Sequence, residues 1–231
     1  MQRKEFDTLV LLTQEDTGFT QRELADRLGV SVGTANKISQ ELTGKGYIAD
    51  GHITMAGIAA LEPYRVKRAI FLAAGFGSRM VPLTFNTPKP LVRVHGVRMI
   101  DTLLDAVVAA GIEEIIIVRG YLAEQFDQLL YKYPNIKFVE NVAYNDANNI
   151  SSAQCVRYMF KNAYVLEADL VLSNPKIITK YQYESNILGI PVEVTDDWCL
   201  YTDTDGYVKE EVVGGRNFHQ MVGISYWDSE A

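Results

Sequence analysis

The sequence predicts an α/β protein in two parts, a small helical module followed by a larger, mostly parallel sheet covered on both faces. Three observations predict it. Residues 1–65 hold short amphipathic segments separated by glycines, the texture changes near Glu62-Pro-Tyr64, and from Arg68 onward short apolar runs alternate with helical stretches. With 231 residues, 48% apolar and 22% charged, the chain can bury a core in each part and does not read as disordered.

In the first part, Phe6, Leu9, Val10 and Leu12 form one apolar stripe, on a helix expected to end at Gly18. Thr20-Gln-Arg-Glu23 is a capping box that opens a helix carrying Leu24, Ala25 and Leu28 and stopping at Gly29. Ser31 starts another, with Val32, Ala35, Ile38 and Leu42, closed by Gly44 and Gly46. Residues 47–54 read as a hairpin turning at Asp50-Gly51. In the second part, residues 68–74, 114–118, 136–139 and 163–168 read as buried strands, and 98–110, 122–130 and 150–160 as helices. Beyond Ile187 the pattern is strand-rich, with a turn at Asp205-Gly206 and a strand over 221–227. Asp228-Ser-Glu-Ala231 reads as the cap of a helix that does not follow, so a truncated chain is expected.

The net charge of −7 is spread rather than blocked, which gives no footprint for nonspecific DNA or anionic membrane binding. Cys155 and Cys199 support neither a zinc site nor a disulfide framework. The first residues lack a signal-peptide pattern, and no run approaches the roughly 18 apolar residues of a membrane span. A soluble, cytoplasmic protein is the expectation.

The sharpest signal is Leu72-Ala-Ala-Gly-Phe-Gly-Ser-Arg-Met-Val-Pro-Leu-Thr84, followed by Thr87-Pro-Lys-Pro-Leu91. Glycines directly after a buried strand let backbone N–H groups approach a polyphosphate. Arg79 adds a planar fork of donors, and Lys89 is a point charge between two prolines. A Walker loop would need lysine before the serine or threonine, and a dinucleotide fingerprint would need glycine where Met80 stands. A tight turn with an incidental arginine would explain a lone G-x-G, but not Arg79, Pro82-Leu-Thr84 and Pro88-Lys-Pro90 together.

This combination resembles the sugar-phosphate nucleotidyltransferase superfamily over residues 68–231. The resemblance implies a Rossmann-like α/β/α sandwich that joins a nucleoside triphosphate to a phosphorylated small molecule and releases pyrophosphate. It also implies that Arg79 and Lys89 are catalytic, that Ala74, Gly75, Gly77, Ser78, Arg79, Gly120 and Tyr121 bind the nucleotide, and that Asp169 holds Mg²⁺. The phosphate nucleophile is already anionic at neutral pH, so no general base is required; His52, His95 and His219 are read as incidental.

Within that superfamily the segments 120–127, 145–152, 195–198 and 223–228 are similar to bacterial choline-phosphate cytidylyltransferases. CTP and phosphocholine are then the implied substrates, with Asn148, Asn149, Asp196, Asp197, Trp198 and Trp227 as substrate-binding residues and Tyr201 as a further aromatic candidate. A trimethylammonium head wants an aromatic face with carboxylates nearby, which Trp198 beside Asp196 and Asp197 offers. The alternatives are a sugar 1-phosphate as acceptor, or a regulator whose large domain senses a ligand. In the family, a second acidic metal ligand and part of the choline pocket come from a C-terminal stretch that this chain is expected to lack, which puts the activity of residues 1–231 in question.

Helix, helix-turn-helix and hairpin over residues 1–65 resemble the winged helix-turn-helix family, and the domain division is set at 1–65 and 66–231. A DNA-reading helix would start at Ser31 and present Thr34, Asn36, Lys37 and Gln40. Seven Lys/Arg against nine Asp/Glu in residues 1–65 give 7 − 9 = −2, a poor balance for phosphate contacts. Docking or oligomerisation is therefore favoured over DNA binding for this module.

Overall fold

The computed structural model describes residues 1–14, 19–146 and 149–230, so Gly18, Asn148 and Ala231 lie outside the described residues. Two compact units divide it. One comprises Met1–Arg65 with Tyr181–Tyr183, and the other begins at Val66 and takes in the rest.

The first unit runs α1 (Arg3–Leu12), α2 (Gln21–Leu28), α3 (Val32–Gly44), β1 (Ile48–Ala49), β2 (His52–Ile53) and α4 (Met55–Leu61). Its helix starts are satisfied by side chains. Thr20 Oγ1 accepts from the Glu23 amide while Glu23 Oε2 accepts from the Thr20 amide, and Ser31 Oγ accepts from the Thr34 amide. Helix α4, which the sequence reading left unassigned, is capped in the same way by Thr54. Phe6, Leu9, Leu12, Ile38, Leu42, Ile48, Leu61 and Tyr181 make the core, and the Tyr64 and Tyr183 rings stack at 5.5 Å beside Phe6. Glu5, only 3% exposed, pairs with Lys45. Burial opposes its ionisation, but hydrogen bonds from Lys45 and the Gln2 amide, with the Lys45 charge, outweigh burial and hold the carboxyl below its ordinary range. The face of α3 carrying Thr34, Asn36, Lys37 and Gln40 is exposed.

The second unit continues β3 (Arg68–Leu72), β4 (Arg93–Val94), β5 (Val97–Arg98), α5 (Met99–Ala109), β6 (Glu114–Arg119), β7 (Ile136–Glu140), α6 (Asn149–Cys155), β8 (Ala163–Glu167), β9 (Asn186–Thr202) and β10 (Val208–Trp227). One six-stranded sheet has the order β7-β6-β3-β8-β10-β9. Its first four strands are parallel, with Phe71 facing Ile117 on one side and Leu166 on the other; β10 returns antiparallel to β8, and β9 antiparallel to β10. Alternate β3 side chains serve opposite faces. Ala69 and Phe71 pack in the core with Leu103, Leu104 and Val107 of α5, whereas Ile70 packs with Ile116, Val118 and Val156.

Two expectations are corrected. Residues 122–130 do not form an α-helix: Ala123–Tyr131 is 3₁₀. Arg119 donates to the Ala123 carbonyl (3.0 Å) and the Gln128 side chain to the Gln125 carbonyl (2.8 Å), so side chains occupy acceptors an α-helix would use. Helix 150–160 is shorter, ending at Cys155 and followed by a 3₁₀ turn at Arg157–Met159. Asp228, read as a helix cap, accepts from the Glu230 amide (2.8 Å) and from the Ser185 amide (3.2 Å). Among the described residues no helix is long and apolar enough to cross a membrane.

Candidate active site

The parallel strands β3 and β8 end side by side, where ligands bind open α/β sheets. Beyond Leu72 the chain is held in place, with the Ala73 amide donating to the Val118 carbonyl (2.8 Å) and the Tyr121 amide to the Ala74 carbonyl (3.0 Å). The loop then turns at Gly77, whose φ of +68° lies in the left-handed region. A Cβ there would stand 3.0 Å from Lys89 Cβ and 3.1 Å from Thr84 Cγ2. Thr84 is buried and donates to the Gly77 carbonyl (3.0 Å), so the Pro-Leu-Thr run braces the loop from beneath.

Leu72, Ala73, Gly75, Gly77, Ser78, Arg79, Lys89, Pro90, Asn149, Glu167 and Asp169 line one open cavity of about 250 Å³. Arg79 is exposed in the 3₁₀ turn Ser78–Met80 and makes no ion pair among the described residues. Lys89 stands between buried prolines and pairs with Asp169, two residues past the end of β8. Two cations beside a glycine loop are chemically suited to phosphate oxygens. Among the described residues no three His, Cys, Asp or Glu side chains converge as a ready metal cage. Mg²⁺ needs none: one or two carboxylates suffice when waters and substrate phosphates complete its shell, and Asp169 on the cavity wall fits that donor set.

Glu167 went unnoticed in the sequence reading. Its Oε1 accepts from Asn149 Nδ2 (3.3 Å), and burial first, then the Asp169 charge, raises its carboxyl above the ordinary range. It sits against Gly223 of β10, where a Cβ would come within 2.7 Å of Glu167 Cγ. Nothing local in sequence signals that contact, since it depends on the antiparallel register that sets Ile224 opposite Leu166.

The remaining candidates are spread. Of the nucleotide-binding set, Gly75, Gly77, Ser78 and Arg79 line the cavity, while Ala74 is buried beneath it. Gly120 and Tyr121 lie beside the loop rather than in the cavity wall. Tyr121 meets Phe76 edge-on (4.6 Å) and donates to the Phe85 carbonyl (2.8 Å), and the Tyr144 ring fills the place of a Gly120 side chain. Asp196, Asp197 and Trp198 are on the exposed ribbon of β9 and β10, outside the cavity wall. Trp198 is 49% exposed, and Asp197 accepts from the Trp198 amide (2.8 Å) and from Gln220 Nε2 (3.4 Å). Tyr201 packs edge-on against Phe218. Trp227 also lies outside the cavity wall. It pairs with Ala163 at the opposite end of β8, six residues and about 20 Å of extended chain from Asp169, and packs on Phe160.

A parallel sheet bearing a glycine-rich, doubly cationic loop at its carboxyl edge defines a phosphate-handling enzyme. Residues 68–187 match the nucleotidyl transferase family model, and the chain belongs to that family. Residues 3–49 match the model of winged helix-turn-helix DNA-binding domains. The chain is 41% identical over 164 residues to 2-aminoethylphosphonate cytidylyltransferase of Lancefieldella rimae, covering 70% of this chain and 67% of that protein. It is 35% identical over 162 residues to choline-phosphate cytidylyltransferase of Streptococcus pneumoniae, covering 70% of each. The solved structure of CTP:phosphocholine cytidylyltransferase from Streptococcus pneumoniae superposes with a TM-score of 0.68 at 38% identity, covering 72% of each chain. The protein is thus a nucleotidyltransferase that carries an N-terminal winged helix.

Proposed function

We propose that the second unit transfers the cytidylyl group of CTP to phosphocholine, forming CDP-choline and pyrophosphate. The observation that carries the reaction type is the cavity shared by the glycine loop, Arg79 and Lys89. Arg79 binds the outer phosphates, and Lys89 neutralises charge at the α-phosphorus and on the incoming phosphate. An anionic acceptor oxygen attacks in line, its bond to the α-phosphorus forming as the bond to the pyrophosphate oxygen breaks. Asp169 positions Lys89 and would hold Mg²⁺, which supplies further charge neutralisation when bound.

The choline reading is supported by the half-exposed face of Trp198 beside Asp197 and by the identity to choline-phosphate cytidylyltransferases. A second acceptor, 2-aminoethylphosphonate, is favoured by the 41% identity to an enzyme named for it. Both acceptors are small, with a cation at one end and a phosphorus acid at the other. For the winged helix we keep docking as the role, because its charge balance is acidic and Glu41 stands 3.9 Å from Lys37 on α3.

Mass spectrometry of the products formed from CTP with phosphocholine, 2-aminoethylphosphonate or glucose 1-phosphate tests the proposal. CDP-choline is the expected product. A nucleotide sugar formed in its place would overturn the acceptor assignment.

A further inference from the structure

Glu167 lines the cavity yet has no part in the reaction outlined above. Asp169 beside it is matched by Lys89, whereas Glu167 makes no ion pair among the described residues and receives one hydrogen bond there, from the neutral amide of Asn149. The Asp169 charge and, more weakly, that of Asp197 add to the negative potential around it, and Lys89 offsets part of this. Gly223, at φ +69°, leaves β10 without a side chain where Glu167 needs the room. A partly buried carboxylate whose nearest cation, Lys89, is already paired with Asp169 is costly to keep, and a backbone shaped to accommodate it points to a second cation that arrives with the ligand.

We propose that Glu167 is a specificity-determining residue for the acceptor: its carboxylate accepts hydrogen bonds from the primary ammonium head of an aminoalkyl phosphate or phosphonate whose acidic end is held by Lys89. This rests on the reading of the second unit as a cytidylyltransferase for small acceptors with a cationic head, and it favours the second of the two acceptors named there, 2-aminoethylphosphonate. A primary ammonium has three N–H donors to give Glu167, while a trimethylammonium has none and relies on an aromatic face. Two carbons separate head and phosphorus in 2-aminoethylphosphonate, and two carbons and an oxygen in the corresponding phosphate, while Glu167 and Lys89 border the same cavity of about 250 Å³.

Isothermal titration calorimetry of the 231-residue protein, with a non-hydrolysable CTP analogue bound, tests this. The probes are 2-aminoethylphosphonate, phosphocholine and ethylphosphonate, which lacks the amine. Glu167→Gln keeps an oxygen for Asn149 but loses the charge. It is expected to weaken 2-aminoethylphosphonate about tenfold or more, phosphocholine less, and ethylphosphonate and the CTP analogue by under about twofold. Glu167→Asp, which withdraws the carboxylate by one carbon, should give a smaller loss with the same selectivity. Unchanged 2-aminoethylphosphonate binding in both variants overturns the proposal. So does an equal loss for the CTP analogue, which would put Glu167 with the nucleotide and its metal. If the unsubstituted protein binds neither amino-bearing acceptor, the acceptor reading itself fails; if it binds them and the variants bind as well, only the role of Glu167 fails.

Discussion

The loop wall of the site and the β9–β10 ribbon are built by different means. Between Gly75 and Lys89 the chain is braced at several points: Thr84 donates to the Gly77 carbonyl, prolines flank Lys89, and Asp169 holds its ammonium. On the ribbon, Asp196, Asp197 and Trp198 are exposed, and the register between the strands shifts repeatedly. The difference teaches that charges proposed for phosphate handling sit in a braced frame, whereas the proposed aromatic contact to the acceptor, Trp198, sits on a surface that can change without disturbing that frame.

Substitutions can break or sharpen this contrast. The largest effect is expected at Lys89. Lys89→Met removes a cation from the reacting centre and should lower kcat about 10²- to 10³-fold in a pyrophosphate-release assay, with the fold intact by circular dichroism. Gly77→Ala comes next: an L-residue at φ +68° costs roughly 1–2 kcal/mol and crowds Lys89, so the Michaelis constant for CTP should rise and Tm fall. Trp198→Ala should raise the Michaelis constant for phosphocholine by a cation–π contribution of about 0.5–2 kcal/mol, leaving that for CTP unchanged. An equal rise for both would erase the proposed division between the walls. Trp227→Ala should leave both constants unchanged, because that ring lies at the far end of the sheet.

The first unit offers a pH test independent of the site. The carboxyl of Glu5 is lower in the folded protein than in the unfolded chain, so its pairing contributes fully above the ordinary carboxylate range and is lost as pH falls through the folded value. Acid unfolding followed by fluorescence should therefore show a smaller pH dependence below about pH 4 for Glu5→Gln than for the unsubstituted protein.

How much was legible in the sequence follows the same contrast. The loop, Arg79 and Lys89 could be read because their chemistry is concentrated within 15 consecutive residues or so after one buried strand. Glu167 and Gly223 could not, since 56 positions separate them and only the β8–β10 register brings them together. The distance of Trp227 from the cavity was hidden for the related reason that an antiparallel return carries the last residue of β10 to the start of β8. Helix α4 escaped notice because Ala, Gly and Met give it little apolar contrast, and the 3₁₀ run at Ala123–Tyr131 depends on side-chain hydrogen bonds that periodicity does not report. The sheet itself was readable, because strands buried on both faces are continuous apolar runs.

The most direct test of the central claim is pyrophosphate release by the 231-residue protein, with each of the four nucleoside triphosphates crossed against phosphocholine, 2-aminoethylphosphonate and a set of sugar 1-phosphates. The account predicts release with CTP and phosphocholine or 2-aminoethylphosphonate, and little with any other pairing. Release that requires a sugar 1-phosphate, or that prefers another nucleotide, would contradict it.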